Sequence, residues 1–108
     1  MPALKLKAID SEKVLEISKD LIDELQKIIQ CPRDYFSIEV VTSSFIMDGK
    51  FVNGLPGVDV FWFDRGQETR DEVAKIITRY INSIGYENVD IIFTGLEKNK
   101  YYENGEHF

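Results

Sequence analysis

Met1-Pro2-Ala3-Leu4-Lys5-Leu6-Lys7-Ala8 alternates apolar and charged residues from Leu4 onward, the two-residue period of a β-strand with one face in a core. Pro2 stands immediately before that strand, where its missing N–H is no loss to a hydrogen-bonded ladder. The same position carries a second reading. Methionine ahead of a small residue is generally trimmed, and removal of Met1 turns the Pro2 nitrogen into a secondary amine able to act as a base or nucleophile without help from a side chain.

Working outward, the opening strand spans Ala3 to Ile9 and Asp10 or Ser11 caps a helix running to about Gln30, with Glu12 and Glu16 where the dipole favours acids. Val14, Ile17, Leu21, Leu25 and Ile28 recur at helical spacing, and Leu15, Ile22 and Ile29 widen the stripe. Cys31-Pro32 ends the helix. Phe36 to Met47 reads as one long strand, Asp48-Gly49 and Asn53-Gly54 as turns around a short hairpin through Lys50-Phe51-Val52, and Leu55-Pro56-Gly57 as a stop. The pattern then repeats: strand Val58–Phe63, helix Gln67–Ile84 stopped by Gly85, strand Val89–Thr94. The chain is thus two β-α-β units, residues 1–47 and 58–94, followed by a tail at 95–108. Aligned on one another, the units set Pro2 opposite Pro56 or Gly57, and Ile38–Thr42 opposite Val89–Phe93. The tail Lys100-Tyr-Tyr-Glu-Asn-Gly-Glu-His-Phe108 carries three aromatics and the single histidine, a composition that calls for burial on its own domain or a neighbouring subunit.

The 108 residues suit a single domain, 1–108, with room for one core. A net charge of −6 disfavours nucleic acid and anionic membranes, both of which require a basic face. One cysteine and one histidine leave neither an intramolecular disulfide nor a zinc site, so no metal is expected. Without a signal-peptide pattern or a membrane-length apolar run, the expected location is cytoplasmic. Ser43 and Ser44 fall on opposite faces of a strand and have no triad partner in view.

With Pro2 and the two units in place, Phe63-Asp64-Arg65-Gly66-Gln67-Glu68-Thr69-Arg70-Asp71-Glu72 resembles the passage from strand to helix in the second unit of the tautomerase superfamily. That superfamily includes 4-oxalocrotonate tautomerase, malonate semialdehyde decarboxylase and macrophage migration inhibitory factor (MIF). Ile28-Ile29-Gln30-Cys31-Pro32 through Ser37-Ile38-Glu39-Val40-Val41 is similar to its passage from first helix to second strand, and the Tyr-Tyr-Glu-Asn-Gly tail resembles an uncharacterised branch. The resemblance implies an α+β fold in which tandem β-α-β units form a mixed four-stranded sheet with two helices on one face, assembled as a homotrimer with the proline at a pocket near a subunit boundary. A chain of this length that covers only one face of its sheet must bury the other against something.

The implied mechanism is keto–enol tautomerisation of a small carboxylate substrate without a cofactor. Pro2 is the general base or acid, and Arg65 holds the carboxylate and favours the neutral amine. Phe45 and Phe63, with Phe61 and Trp62, supply dry walls; Tyr101, Tyr102, Glu103 and Asn104 form the pocket rim or contacts to a neighbouring subunit, and His107 is a further substrate-binding candidate, a general acid or else a structural residue of the tail. Related members decarboxylate or hydrate instead. The position matching a second arginine in some members is Glu39, and Arg33 and Arg70 read as solvated charges, so a monoacid is the expected substrate. Two alternatives stand beside this reading. One is a ferredoxin-like ligand-binding or regulatory module, which has the same element order but an antiparallel sheet in a dimer. The other is a trimer that has lost its chemistry.

Overall fold

In the computed structural model, which describes residues Met1–Phe108, strand β1 (Ala3–Lys7) leads through helix α1 (Ser11–Ile29) to β2 (Ser37–Val41). The short strands β3 (Phe45–Met47) and β4 (Lys50–Val52) follow, then β5 (Gly57–Trp62), helix α2 (Gln67–Ser83) and β6 (Asp90–Gly95). A terminal hairpin of β7 (Tyr102–Glu103) and β8 (Glu106–His107) ends the chain. Four strands form one sheet in the order β2-β1-β5-β6. β1 and β2 are parallel, β5 and β6 are parallel, and the two pairs meet antiparallel through β1 and β5. Parallel pairs within each unit exclude the fully antiparallel sheet of the ferredoxin-like alternative.

The repeat in the sequence is a repeat in hydrogen bonding. Ser37 N–H donates to the Pro2 carbonyl and Asp90 N–H to the Pro56 carbonyl, both at 3.1 Å, so the two prolines occupy equivalent places. With Ala3 opposite Ser37 and Gly57 opposite Asp90, the true counterpart of Ser37–Val41 is Asp90–Thr94. That shifts the sequence alignment of the units by two residues. A shift of two preserves the faces, so alternation alone does not reveal it.

Leu4 and Leu6 of β1 and Val58, Val60 and Trp62 of β5 point to the helices, where they meet Leu21, Leu25, Val73, Ile77 and Ile81 in one buried cluster. Each such side chain contributes about 1.5–3 kcal/mol by leaving water. Asp10 caps α1 by accepting from Glu12 N–H at 2.9 Å, while Gln30, left-handed at φ 55°, closes its other end by donating to Gln26 O. Arg79 of α2 pairs with Glu24 of α1 across the helix layer. The opposite sheet face is uncovered in the single chain. It carries Lys7 paired with Asp59 at 3.2 Å, Lys5 over the Phe61 ring, and exposed Ile92.

Two strand ends differ from expectation for one reason. Ala8 turns left-handed at φ 58°, so β1 stops at Lys7 rather than Ile9. Lys7–Val41 is then the last β1–β2 pair, and the expected run from Phe36 to Met47 breaks after Val41 because it has no neighbour left. Phe45–Met47 pairs instead with Lys50–Val52 around Asp48-Gly49, whose φ values of 53° and 74° suit a two-residue hairpin turn. The chain folds back at Gly54, where an added Cβ would lie 2.3 Å from the Phe45 ring. Gly54→Ala is therefore expected to displace that ring and destabilise the protein by about 1 kcal/mol. Faster hydrogen exchange at Lys50–Val52 with unchanged exchange in β1 and β5 is the check.

Candidate functional site

The antiparallel β1–β5 contact decides what surrounds Pro2. Ala3 is opposite Phe61, so the end of β5 and the turn that follows it arrive beside the start of β1. β2 is parallel to β1, so its leading segment, Cys31 to Phe36, comes to the same end. β6 is parallel to β5, and Leu96 N–H donates to Trp62 O as the tail departs from this end. One end of the sheet thus gathers the chain start, the α1–β2 loop, Arg65 and the tail.

Two clefts open there. The first, about 490 Å³, is lined by Met1, Cys31, Tyr35, Phe63, Asp64, Arg65, Lys98 and Phe108. The second, about 320 Å³, lies toward the uncovered sheet face and includes Met1, Ala3, Lys5, Asp34, Tyr35, Phe61 and Tyr101. Pro2 itself is buried, and its nitrogen is the amide that joins it to Met1.

Arg65 is held by backbone. Its Nε donates to Ile29 O at the C-terminal end of α1 (3.0 Å) and its Nη1 to Phe63 O (3.1 Å). Carbonyls leave the guanidinium charge uncancelled, and neighbouring Asp64 is already engaged by Arg70 and by Gly66 N–H. The remaining guanidinium N–H groups are free to receive a carboxylate. Burial, and after it the Arg65 charge, holds the Met1 α-amino group below its ordinary value of 8.0, despite an opposing pull from Cys31. Burial likewise pushes the Cys31 thiol up, against the opposing charges of Arg65 and the chain start.

Of the residues expected here, Pro2, Phe63, Arg65 and Tyr101 converge. Phe63 stacks on Phe108 with centroids 5.8 Å apart, and Tyr101 packs on both, at 5.6 Å from Phe63 and 4.7 Å from Phe108. Phe45 does not join them within the chain: it follows the far end of β2 and lines a cleft with Ala8, Pro56 and Tyr86 at the other end of the sheet. Tyr102 and His107 pair edge-on at 5.8 Å on the outer β7–β8 hairpin and line neither cleft. Trp62 faces the helices, not the clefts, and Arg33 is paired with Asp23. Phe108, Tyr35 and Lys5 join the clefts without a sequence motif that marks them. The Asn104-Gly105 turn, with φ values of 53° and 87°, is the legible signal that the tail folds back and returns Phe108 to the site. No cluster of His, Cys, Asp or Glu is placed to hold a metal ion, and no helix is long and apolar enough to cross a membrane.

The profile of the family described as "Domain of unknown function (DUF1904)" matches residues 1–107. The chain belongs to that DUF1904 family. A crystal structure of a DUF1904 domain from Sebaldella termitidis is 41% identical, with a TM-score of 0.92 and full coverage of both chains. The MIF-like protein of Entamoeba histolytica superposes with a TM-score of 0.75 at 21% identity, covering 99% of this chain and 98% of that one. A fused 4-OT described as an asymmetric trimer superposes with a TM-score of 0.80 at 10% identity, covering 97% and 94%. No curated protein matches the sequence. This DUF1904 chain therefore has the tautomerase/MIF-like fold.

Proposed function

We propose that this DUF1904 protein is a tautomerase-type enzyme acting on a small α-keto or enol acid through Pro2, once Met1 has been removed. The observation that carries the reading is Arg65: a guanidinium fixed by two carbonyls, unpaired with any carboxylate, and lining the same cleft as the start of the chain. The free Pro2 amine inherits that surrounding. Burial and positive charge favour its neutral form, which takes a proton from one carbon of the substrate while Arg65 holds the carboxylate. The electron pair left behind delocalises into the enolate, and the same proton is returned at another carbon. Phe63, Tyr101 and Phe108 limit water around the reacting carbons.

The reading includes a homotrimer in the cytoplasm. What supports assembly is exposed apolar surface: Ile46, Met47 and Phe51 on the β3–β4 hairpin and Ile92 on the uncovered sheet face, which a neighbouring copy would bury.

The test is an intact mass of the untagged protein before and after a neutral-pH reagent selective for low-pKa amines, with the adduct mapped. Loss of Met1 and one adduct on Pro2, formed with a pH midpoint below the ordinary α-amino value of about 8, are expected. Retained Met1, or a free Pro2 that stays unlabelled, would leave a non-catalytic assembly as the function.

A further inference from the structure

Leu96 to Phe108 lies on the body of the protein without being built into it. None of these residues is buried, and none belongs to the core cluster or packs against it. Their one hydrogen bond to the rest of the chain is at the root, where Leu96 N–H donates to Trp62 O at 2.6 Å, and their one ion pair, Lys100 with Glu97, is internal. The segment is nonetheless a unit. Tyr102 pairs with His107 and Glu103 with Glu106 across the Asn104-Gly105 turn, and Phe108 N–H closes the hairpin on Tyr101 O at 2.9 Å.

Beyond the root, the aromatic packing of this unit onto the body falls on a single side chain. The Phe63 ring takes both Tyr101, at 5.6 Å, and Phe108, at 5.8 Å. Phe63 is also where the guanidinium is held, because its carbonyl accepts from Arg65 Nη1 at 3.1 Å. Ring and carbonyl of one residue thus join the tail to the group that receives a carboxylate. Lys98 and Phe108 are the tail's share of the wall around the Arg65 cleft. A wall fastened by ring contacts at its tip and one main-chain bond at its root opens at the cost of those contacts alone, whereas β5 and β6 open only with the core.

From this arrangement we infer that Leu96–Phe108 is a strap over the Arg65 cleft, hinged after Leu96 and latched by Phe108 on Phe63, and that a small acid reaches Arg65 when the latch opens. With the latch shut, Phe63 is clamped and its carbonyl keeps the guanidinium in the orientation that meets the carboxylate. With it open, the Lys98 and Phe108 side of the cleft is gone and solvent has access. The inference rests on the carboxylate site that the proposed function gives to Arg65, but it concerns access and not turnover.

A gate and a plain wall differ in kinetics. Deleting a wall contact raises the dissociation rate and leaves association nearly unchanged, while loosening a gate raises both, because the form that admits and releases the ligand is more populated. The experiment measures both rates for hexanoate, an acid that cannot tautomerise, from NMR line shapes of the untagged protein. Phe108→Ala is expected to raise association and dissociation together by about threefold to tenfold, the weight of one aromatic pair, with little change in Kd. Phe108→Tyr, which keeps a ring on Phe63, is expected to restore both rates. A rise in dissociation alone, or unchanged rates, would overturn the strap. Hydrogen exchange of the unliganded protein reads the same opening: Tyr101–Phe108 are expected to share one opening rate that Phe108→Ala accelerates. Graded exchange rising toward Phe108, or protection equal to that of β5, counts against the strap. If hexanoate does not bind, the carboxylate site of the proposed function fails, and exchange still decides the strap.

Discussion

Replacing Arg65 with alanine is expected to lower kcat/KM on a small keto–enol acid by about 10²- to 10³-fold, the loss of two charge-assisted hydrogen bonds worth roughly 1.5–3 kcal/mol each, less what water recovers. The effect is large because the side chain is pre-oriented. Its Nε and Nη1 are already fixed on Ile29 O and Phe63 O, so the remaining donors lose little freedom on meeting a carboxylate. Removing the guanidinium has a second consequence. Burial is the leading cause that lowers the amino group at this end of the chain, and Arg65 adds to it. Without that charge the amine holds its proton to higher pH, so Arg65→Ala is expected to move the ascending limb of the pH–rate profile upward. Arg65→Lys separates the two roles: the charge is kept and the limb returns toward wild type, while the two-point grip on the carboxylate, and with it most of the rate, stays lost. A pH–rate series on the three proteins is the measurement. Wild-type kcat/KM in Arg65→Ala would remove Arg65 from the site and the proposed mechanism with it.

The parts of the fold that alternate strictly are legible in the sequence. Leu4 and Leu6 against Lys5 and Lys7, and Val58, Val60 and Trp62 against Asp59 and Phe61, state which face of each central strand meets the helices. The helices are equally plain, because Val14, Ile17, Leu21 and Leu25 repeat at the spacing of one face. What periodicity does not contain is where a strand loses its neighbour. Thr42 to Ser44 has nothing in its composition to separate β2 from β3; the break exists because β1 has already turned away at Ala8. The site follows the same division. Pro2 and Arg65 are joined by strand order, which the repeat of units implies. Phe45 reads as a pocket wall only while it belongs to one long strand, and the parallel β1–β2 pairing carries it to the opposite end instead. Lys5 reads as the solvent side of a strand, since no local pattern distinguishes a solvated lysine from one turned along a ring on the next strand.

Trp62→Ala is expected to cost about 3–5 kcal/mol, a large share of the roughly 5–15 kcal/mol that a domain of this kind has in total. Trp62 is 1% exposed and sits at the end of β5, its ring 5.2 Å from that of Phe93 on β6. Truncation opens a cavity in the core between the sheet and the helices, beside Phe93. Trp62 is also the only tryptophan in the chain, so the variant must be followed by circular dichroism under denaturant rather than by fluorescence. A midpoint shift below the equivalent of about 1 kcal/mol would mean that the core tolerates an empty site there, contrary to close packing. Trp62→Phe distinguishes stability from positioning. It keeps an aromatic ring beside Phe93 and leaves the main-chain bond from Leu96 N–H to the residue 62 carbonyl in place, so it is expected to retain the fold at a smaller cost than alanine. Because Trp62 faces the helices and lines neither cleft, carboxylate binding by folded Trp62→Phe protein is expected to stay at the wild-type level, and a weakened affinity would mean that this core side chain positions the wall of the site.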